Sequence, residues 1–370
     1  MNLRSIFGIV ATLFILACDN ELSINAEWQD ITVVYGILDP TQDTNFIRIE
    51  RGYLGSEPAR NSYDKPDSLY YDENEITVTL YWYEINNGNR GNLVDSSELR
   101  PDYNIRNLNS DGPFTTEAYR IYPIISPDIP VSSQYEYELI IDKNDGGPQV
   151  TASTRVLEGF DLRRPARLGG IYEYQGLLSW DNESKNKNIY LYQPRFYFYY
   201  KEYNLDTKES EMKEIMYRFQ NVERKGGITD YEVKFSDNNA FYAALAGRIE
   251  TDSSVLRFFD HMRFEIWGAD ENLTTYMNLK APSNSINQNR PEFTNIVNGT
   301  GIFASRIKLV LDDVLLQDAG SPSYEDGLYL RQVLCEKRFA RTQKGVGDTC
   351  ICDDIPNAGI NELKCPYDEI

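Results

Sequence analysis

The feature that most constrains this chain's fold is a two-residue period. From Ile76 the sequence runs Ile-Thr-Val-Thr-Leu-Tyr-Trp, which places Ile76, Val78, Leu80 and Trp82 on one side of an extended strand. A helix would scatter those four side chains around its circumference. Asn86-Asn87-Gly88-Asn89 follows, residue types that tolerate the positive φ of a tight hairpin. The same pattern returns in Tyr135, Tyr137, Leu139 and Ile141, then Asn144-Asp145-Gly146-Gly147, then Val150, Ala152, Thr154 and Val156. Asp142 to Gly146 lacks the acid spacing of an EF-hand loop and reads as a turn.

Two more extended runs precede these, Trp28 to Leu38 and Phe46 to Glu50. Short strands separated by Gly, Asn and Pro turns predict a mainly β protein. Residues 28–157 are expected to form an immunoglobulin- or fibronectin-like antiparallel β-sandwich. Arg163, Arg164, Pro165 and Arg167 read as a polar linker into a second β-rich domain over 158–334. There Ile189 to Tyr203 alternates, with Tyr192, Phe196, Phe198 and Tyr200 on one parity and Tyr197 and Tyr199 on the other. Pro194 predicts a bulge or an edge position. Ser236 to Ile249 has helical period, while Arg257 to Trp267 and Leu273 to Leu279 read as strands. Gly299-Thr300-Gly301 reads as a tight loop before a buried strand. A length of 370 residues suits two units, and 13% aromatic residues argues against disorder.

The first residues give an address. Arg4 is the one charge before an apolar run of 12 residues, Ser5 to Leu16. That run is too short for a transmembrane helix, which needs about 20 residues, and suits a secretory signal. It ends at Ile15-Leu16-Ala17-Cys18, which resembles a bacterial lipobox. The resemblance implies cleavage of residues 1–17, diacylglycerol and acyl (palmitate-type) chains on Cys18, and a lipidated tether over 18–27. Several acyl chains on one residue hold a protein to a bilayer durably. The competing reading is an ordinary secretory signal with a chance cysteine at its end.

The remaining cysteines, Cys335, Cys350, Cys352 and Cys365, crowd into a tail over 335–370 that is rich in Gly, Asp and Pro. In an exported protein this reads as two disulfides stapling a segment with little core. Cys335 would pair with Cys350 or Cys352, and Cys365 with the other. A four-cysteine zinc site is the alternative, although the paired knuckles that mark such sites are missing. No cofactor is expected.

Four stretches taken together carry a family resemblance: the lipobox, TVVYGILDP in the first strand, the hairpin closing on A-S-T, and PEFTNIVNGTGIFASR. They resemble uncharacterised Bacteroidota outer-membrane lipoproteins of the domain-of-unknown-function 4249 type, or a relative of it. The resemblance implies an immunoglobulin-like sandwich fused to a second β-rich part, and an accessory role beside TonB-dependent transporters. Acidic residues after the lipidated cysteine, here Asp19 and Glu21, resemble an export signal to the cell surface in such proteins.

Function is read mostly by exclusion. A net charge of −20 argues against non-specific nucleic-acid binding, which depends on Lys and Arg. The sequence holds one histidine, His261, so a multi-histidine metal site is ruled out, and no metal site is expected. Alternation sets His261 opposite Phe258, Met262 and Phe264, as a solvated strand residue. No nucleophile elbow, phosphate loop or dinucleotide fingerprint occurs. A carboxylate-dependent hydrolase needs only two acids and leaves no motif. Tyr197, Tyr199, Tyr200 and Tyr203 are the candidates for an aromatic platform that stacks on a glycan or peptide. The leading expectation is a lipid-anchored, non-enzymatic accessory or scaffold of an outer-membrane complex, with a membrane protein as partner. The alternative is a stand-alone glycan- or peptide-binding module.

Overall fold

The computed structural model describes residues 30–52, 69–102, 120–164, 178–181, 188–226, 228, 230–233, 243–280, 292–314 and 337–340. The signal segment, Cys18 and the four C-terminal cysteines lie outside these residues. In chain order the elements are β1 (Thr32–Leu38), β2 (Thr44–Arg51), β3 (Ile76–Asn86), β4 (Asn89–Leu99), β5 (Ile121–Ile125) and β6 (Tyr135–Lys143). Next come β7 (Val150–Arg155), β8 (Asp161–Arg164), β9 (Leu178–Asp181), β10 (Leu191–Asn204), β11 (Ser210–Arg218) and β12 (Val222–Glu223). The last are β13 (Asp230–Val233), β14 (Val255–Ala269), helix α1 (Glu271–Lys280), β15 (Gly299–Val314) and β16 (Phe339–Ala340). The protein is mainly β.

The local signals produce the local structure. Asn86 pairs with Asn89 across a two-residue loop in which Asn87 (φ 50°) and Gly88 (φ 78°) are both left-handed, a type I′ turn. β3, β4, β6 and β7 form an antiparallel sheet in the order β4-β3-β6-β7. Its inward parity (Val78, Leu80, Trp82, Leu139, Ile141) packs on Val34, Leu38, Ile47, Ile49 and Ile124 of a second, longer sheet. The result is a sandwich-like N-terminal core.

The long sheet runs β11-β10-β14-β15-β1-β2-β5, with β12 beside β10 and β16 beside β14. It crosses the 157/158 boundary. β1 lies parallel to β15, from Thr32 opposite Gly299 to Leu38 opposite Ser305, and Phe303 of β15 is buried in the N-terminal core. Gly299-Thr300-Gly301 is therefore not a loop ahead of the strand but its first three residues. At Gly301 the φ is +111°, and an added Cβ would sit 2.0 Å from the Val34 carbonyl oxygen. Only glycine lets the two backbones approach this closely.

A second core lies under β10 and β14. Phe196, Phe198 and Tyr200 point inward with Phe264 and Phe339. Tyr200 is thereby removed from the aromatic platform; it packs against Phe339 at 5.4 Å. A bulge opposite the Tyr199/Tyr200 step leaves Asp260 unpaired, so Phe259, not Phe258, enters the core. Pro194 sits inside the sheet, paired with Ile266 on the β14 side. On its other side β11 ends at Arg218 opposite Arg195 and β12 begins opposite Tyr192; there the proline carbonyl accepts from the Phe219 N–H at 3.1 Å, and no N–H is asked of the proline.

Two readings are corrected. Leu273 to Leu279 is helical, within α1, because the Asp270 carboxylate accepts the Leu273 N–H at 2.8 Å as an N-cap. Glu271 and Lys280 complement the helix dipole at its two ends. Arg163 and Arg164 belong to β8, which joins β9 and β13 in a small sheet; Arg163 pairs with Asp181 at 2.8 Å and with Asp230. Of the helix expected from Ser236 to Ile249, residues 243–246 form a helical turn, and 234–242 lie outside the described residues.

Candidate functional site

The outer face of the long sheet is where chemistry-bearing side chains gather. α1 covers one end of it: Leu273 packs with Leu191, Ala269, Ile302 and Ala304, and Tyr276 and Met277 lie against them. Away from the helix the face is partly exposed, with Met212 and Met216 of β11 at 55% and 45%. The strand register sets its rows. Tyr197 stands opposite Arg263 and Met216, Tyr199 opposite His261 and Glu214, and Arg195 opposite Glu265 and Arg218. Trp267 stands opposite Gln193 and Lys308.

Two clusters form on this face. In the first, the Tyr199 ring is parallel to Tyr197 at 6.2 Å and to His261 at 4.4 Å. These contacts use ring surface that stacking on a sugar would need. Burial, reinforced by a hydrogen bond to Glu214, pushes the Tyr199 hydroxyl up to about 12, so it stays protonated. His261 Nδ1 lies 2.6 Å from Asp260, and its Nε2 lies 3.3 Å from Asp312. The hydrogen bond from Arg263 is the main cause holding Asp312 below its ordinary pKa. His261, Asp312 and Asp313 bring ligand-type atoms within 4.8 Å of one another, but Arg263 already neutralises Asp312. In the second cluster, Trp267 has Arg306, Lys308 and Arg195 at 4.8, 5.1 and 5.5 Å from its ring centre. Buried Glu265 accepts from the Trp267 indole at 3.2 Å and from the Tyr197 hydroxyl at 3.3 Å.

Tyr197, Tyr199 and Tyr203 are each half-buried; Tyr203 stands apart, opposite Leu256 near the far end of β10. His261 lies on the outer face, away from Met262 and Phe264. Arg195, Arg218, Trp267 and Lys308 escaped the reading by residue type. The signal that could have found Trp267 was the odd parity of β14, where His261, Arg263, Glu265 and Trp267 alternate with the apolar Met262, Phe264 and Ile266.

A second feature lies where the chain enters β1. Asp30 accepts hydrogen bonds from the Lys143 ammonium at 2.8 Å and the Tyr71 hydroxyl at 2.7 Å. Arg51 lies over the Tyr71 ring at 4.4 Å and bonds to Glu75 at 2.7 Å. Burial acts to raise the Asp30 carboxyl, but the bonds from Lys143 and Tyr71 outweigh it, and its pKa is lowered. These residues line a cleft of about 270 Å³, and their mutual pairing makes it a clamp on the start of the fold.

No protein family model matches the sequence, and no curated protein matches it. Among solved structures, one likeness is to the C-terminal globular domain of an oligosaccharyltransferase from Pyrococcus abyssi, at 13% identity and a TM-score of 0.22. It covers 64% of this chain and 46% of that one, so the present chain spans under half of its length. Another is to a cytokine receptor complex, at 9% identity and a TM-score of 0.17, covering 78% of this chain and 100% of that one. At these TM-scores neither likeness carries an argument about fold or function.

Proposed function

We propose that this protein is a lipid-anchored outer-membrane lipoprotein at the cell surface, and a non-enzymatic accessory subunit of a larger envelope complex. Cys18 is the lipidated residue in this reading. The N-terminal sandwich is read as immunoglobulin-like and the tail as stapled by disulfides among Cys335, Cys350, Cys352 and Cys365. The lipobox and the likeness to Bacteroidota lipoproteins support the anchor. One structural observation supports the accessory role: the partly exposed outer face of β11, β10, β14 and β15, where Trp267, Tyr197 and Met216 alternate with Arg, Lys and Glu side chains. Aromatic, Met and Arg side chains are the types enriched at protein interfaces. The parallel stacking among Tyr197, Tyr199 and His261 weighs against a sugar platform and towards a protein partner.

The test is affinity purification of the full chain from native membranes in mild detergent, with partners identified by mass spectrometry. A stoichiometric integral outer-membrane partner, lost on Trp267→Ala with the folded protein still present, is the expected result. Recovery of the wild-type protein alone refutes the accessory reading. Metabolic labelling with a palmitate analogue checks the anchor: incorporation must vanish in Cys18→Ala.

A further inference from the structure

We infer that the β10–β11 corner of this face binds a phosphate-type oxyanion through Arg195 and Arg218. The inference rests on the outer face being a binding surface and adds the chemistry of what it takes. Arg195 and Arg218 are directly paired across the two strands, so their side chains leave the same face from neighbouring positions. Cross-strand neighbours of like charge repel and destabilise a sheet. In a chain with 57 acids and 37 basic residues, a carboxylate opposite either arginine would remove that cost, and neither has one as an ion-pair partner among the described residues.

Among the described residues no carboxylate is left over for either cation. Glu265 is the carboxylate opposite Arg195 on the β14 side, but the Trp267 indole, the Tyr197 hydroxyl and Lys308 are bonded or close to its oxygens. Among the described residues Arg218 bonds to the neutral amide oxygen of Asn221, at 3.4 Å. Arg195 lies over the Trp267 ring at 5.5 Å, and its Nε is buried with no hydrogen-bond partner. An arginine that stacks on an aromatic ring is held in place, with its outer N–H donors directed away from the ring. Two arginines at paired positions carry two positive charges and a fork of donors each. A tetrahedral dianion satisfies both, whereas a single carboxylate neutralises one. The ligand class is therefore a phosphate or phosphate monoester.

The experiment is a titration of the full chain with inorganic phosphate at constant ionic strength, read by calorimetry and by thermal unfolding, with sodium chloride as the control. Saturable binding with a rise in Tm is expected, and the affinity should fall about tenfold or more in Arg195→Gln and in Arg218→Gln, since each removes a charge-assisted contact. The like-charge argument adds a second readout: without phosphate, Arg218→Gln should melt at a higher temperature than wild type. Phosphoserine and phosphatidylcholine vesicles doped with phosphatidic acid then separate a soluble monoester from a lipid headgroup as the source. Binding of either one supports the site. Equal response to phosphate and chloride, unchanged affinity in both variants, or a lower melting temperature for ligand-free Arg218→Gln overturns it. None of these outcomes bears on whether a membrane partner co-purifies, so the oxyanion site and the accessory role fail separately.

Discussion

Replacing Gly301 with alanine tests the join between the two halves of the molecule. The new Cβ would lie 2.0 Å from the Val34 oxygen and 2.9 Å from its carbonyl carbon, whereas ordinary contact begins near 3.4 Å. Both atoms are backbone, so no rotamer change relieves the overlap. β1 and β15 would have to separate by more than an ångström at the third pair of a seven-pair register. The left-handed φ alone costs an alanine about 1 kcal/mol. Loss of two ladder hydrogen bonds adds about 2 kcal/mol, and loosened packing of Phe303 adds about 1 kcal/mol more. The expected total is about 4 kcal/mol. Gly88→Ala is the control, because its φ of +78° is also left-handed but an added Cβ there meets nothing within 4 Å. It should cost about 1 kcal/mol. Urea unfolding of both variants, followed by tryptophan fluorescence, gives the comparison. If Gly301→Ala falls within about 0.5 kcal/mol of Gly88→Ala, within the scatter of such measurements, the close-approach argument is wrong.

Other outcomes follow from the same structure. Burial raises the Asp270 carboxyl to about 6, so its contribution to stability is fully present below the unfolded pKa and is lost as pH rises through 6. That is about 3 kcal/mol across the window, and Asp270→Asn should flatten the urea midpoint between pH 4 and 6.5, as titration with denaturant will show. Asp30 has the opposite sign: its lowered pKa gives stability that is present above the unfolded value and lost on acidification. Lys143→Met should therefore lose stability mainly above about pH 4, with a lower urea midpoint at pH 7 that converges on the wild-type value on acidification, followed by circular dichroism. Phe339 is 1% exposed, and Phe339→Ala should cost about 3–5 kcal/mol. A loss under about 1 kcal/mol in the same denaturation assay would mean that β16 is not part of the core.

What could be read from the sequence was set by range. The β3–β4 turn was legible because Asn87 and Gly88 carry their own backbone preference, and inward parity in β3 and β6 followed from residue type. α1 was misread because Leu273, Thr275, Met277 and Leu279 alternate as a strand would; the deciding residue was Asp270, just outside that window. The pairing of β1 with β15 leaves no local mark except Gly301, whose meaning depends on Val34, 267 residues earlier. On the candidate face the tyrosines were visible as a parity. Their partners across the strands were not, since register is set by pairing rather than by composition.

The parallel placement of β1 against β15 also governs the order of assembly. A chain that emerges N-terminus first brings out β1, β2 and the whole β3–β7 set before the strand that lies against β1 is available. Until residues 299–305 arrive, one side of the first core lacks Phe303 and β1 presents an unpaired edge. Pairings of such sequence separation are slow to form and expose the waiting edge to other chains. A fragment ending at Leu157 should accordingly fail to fold by itself.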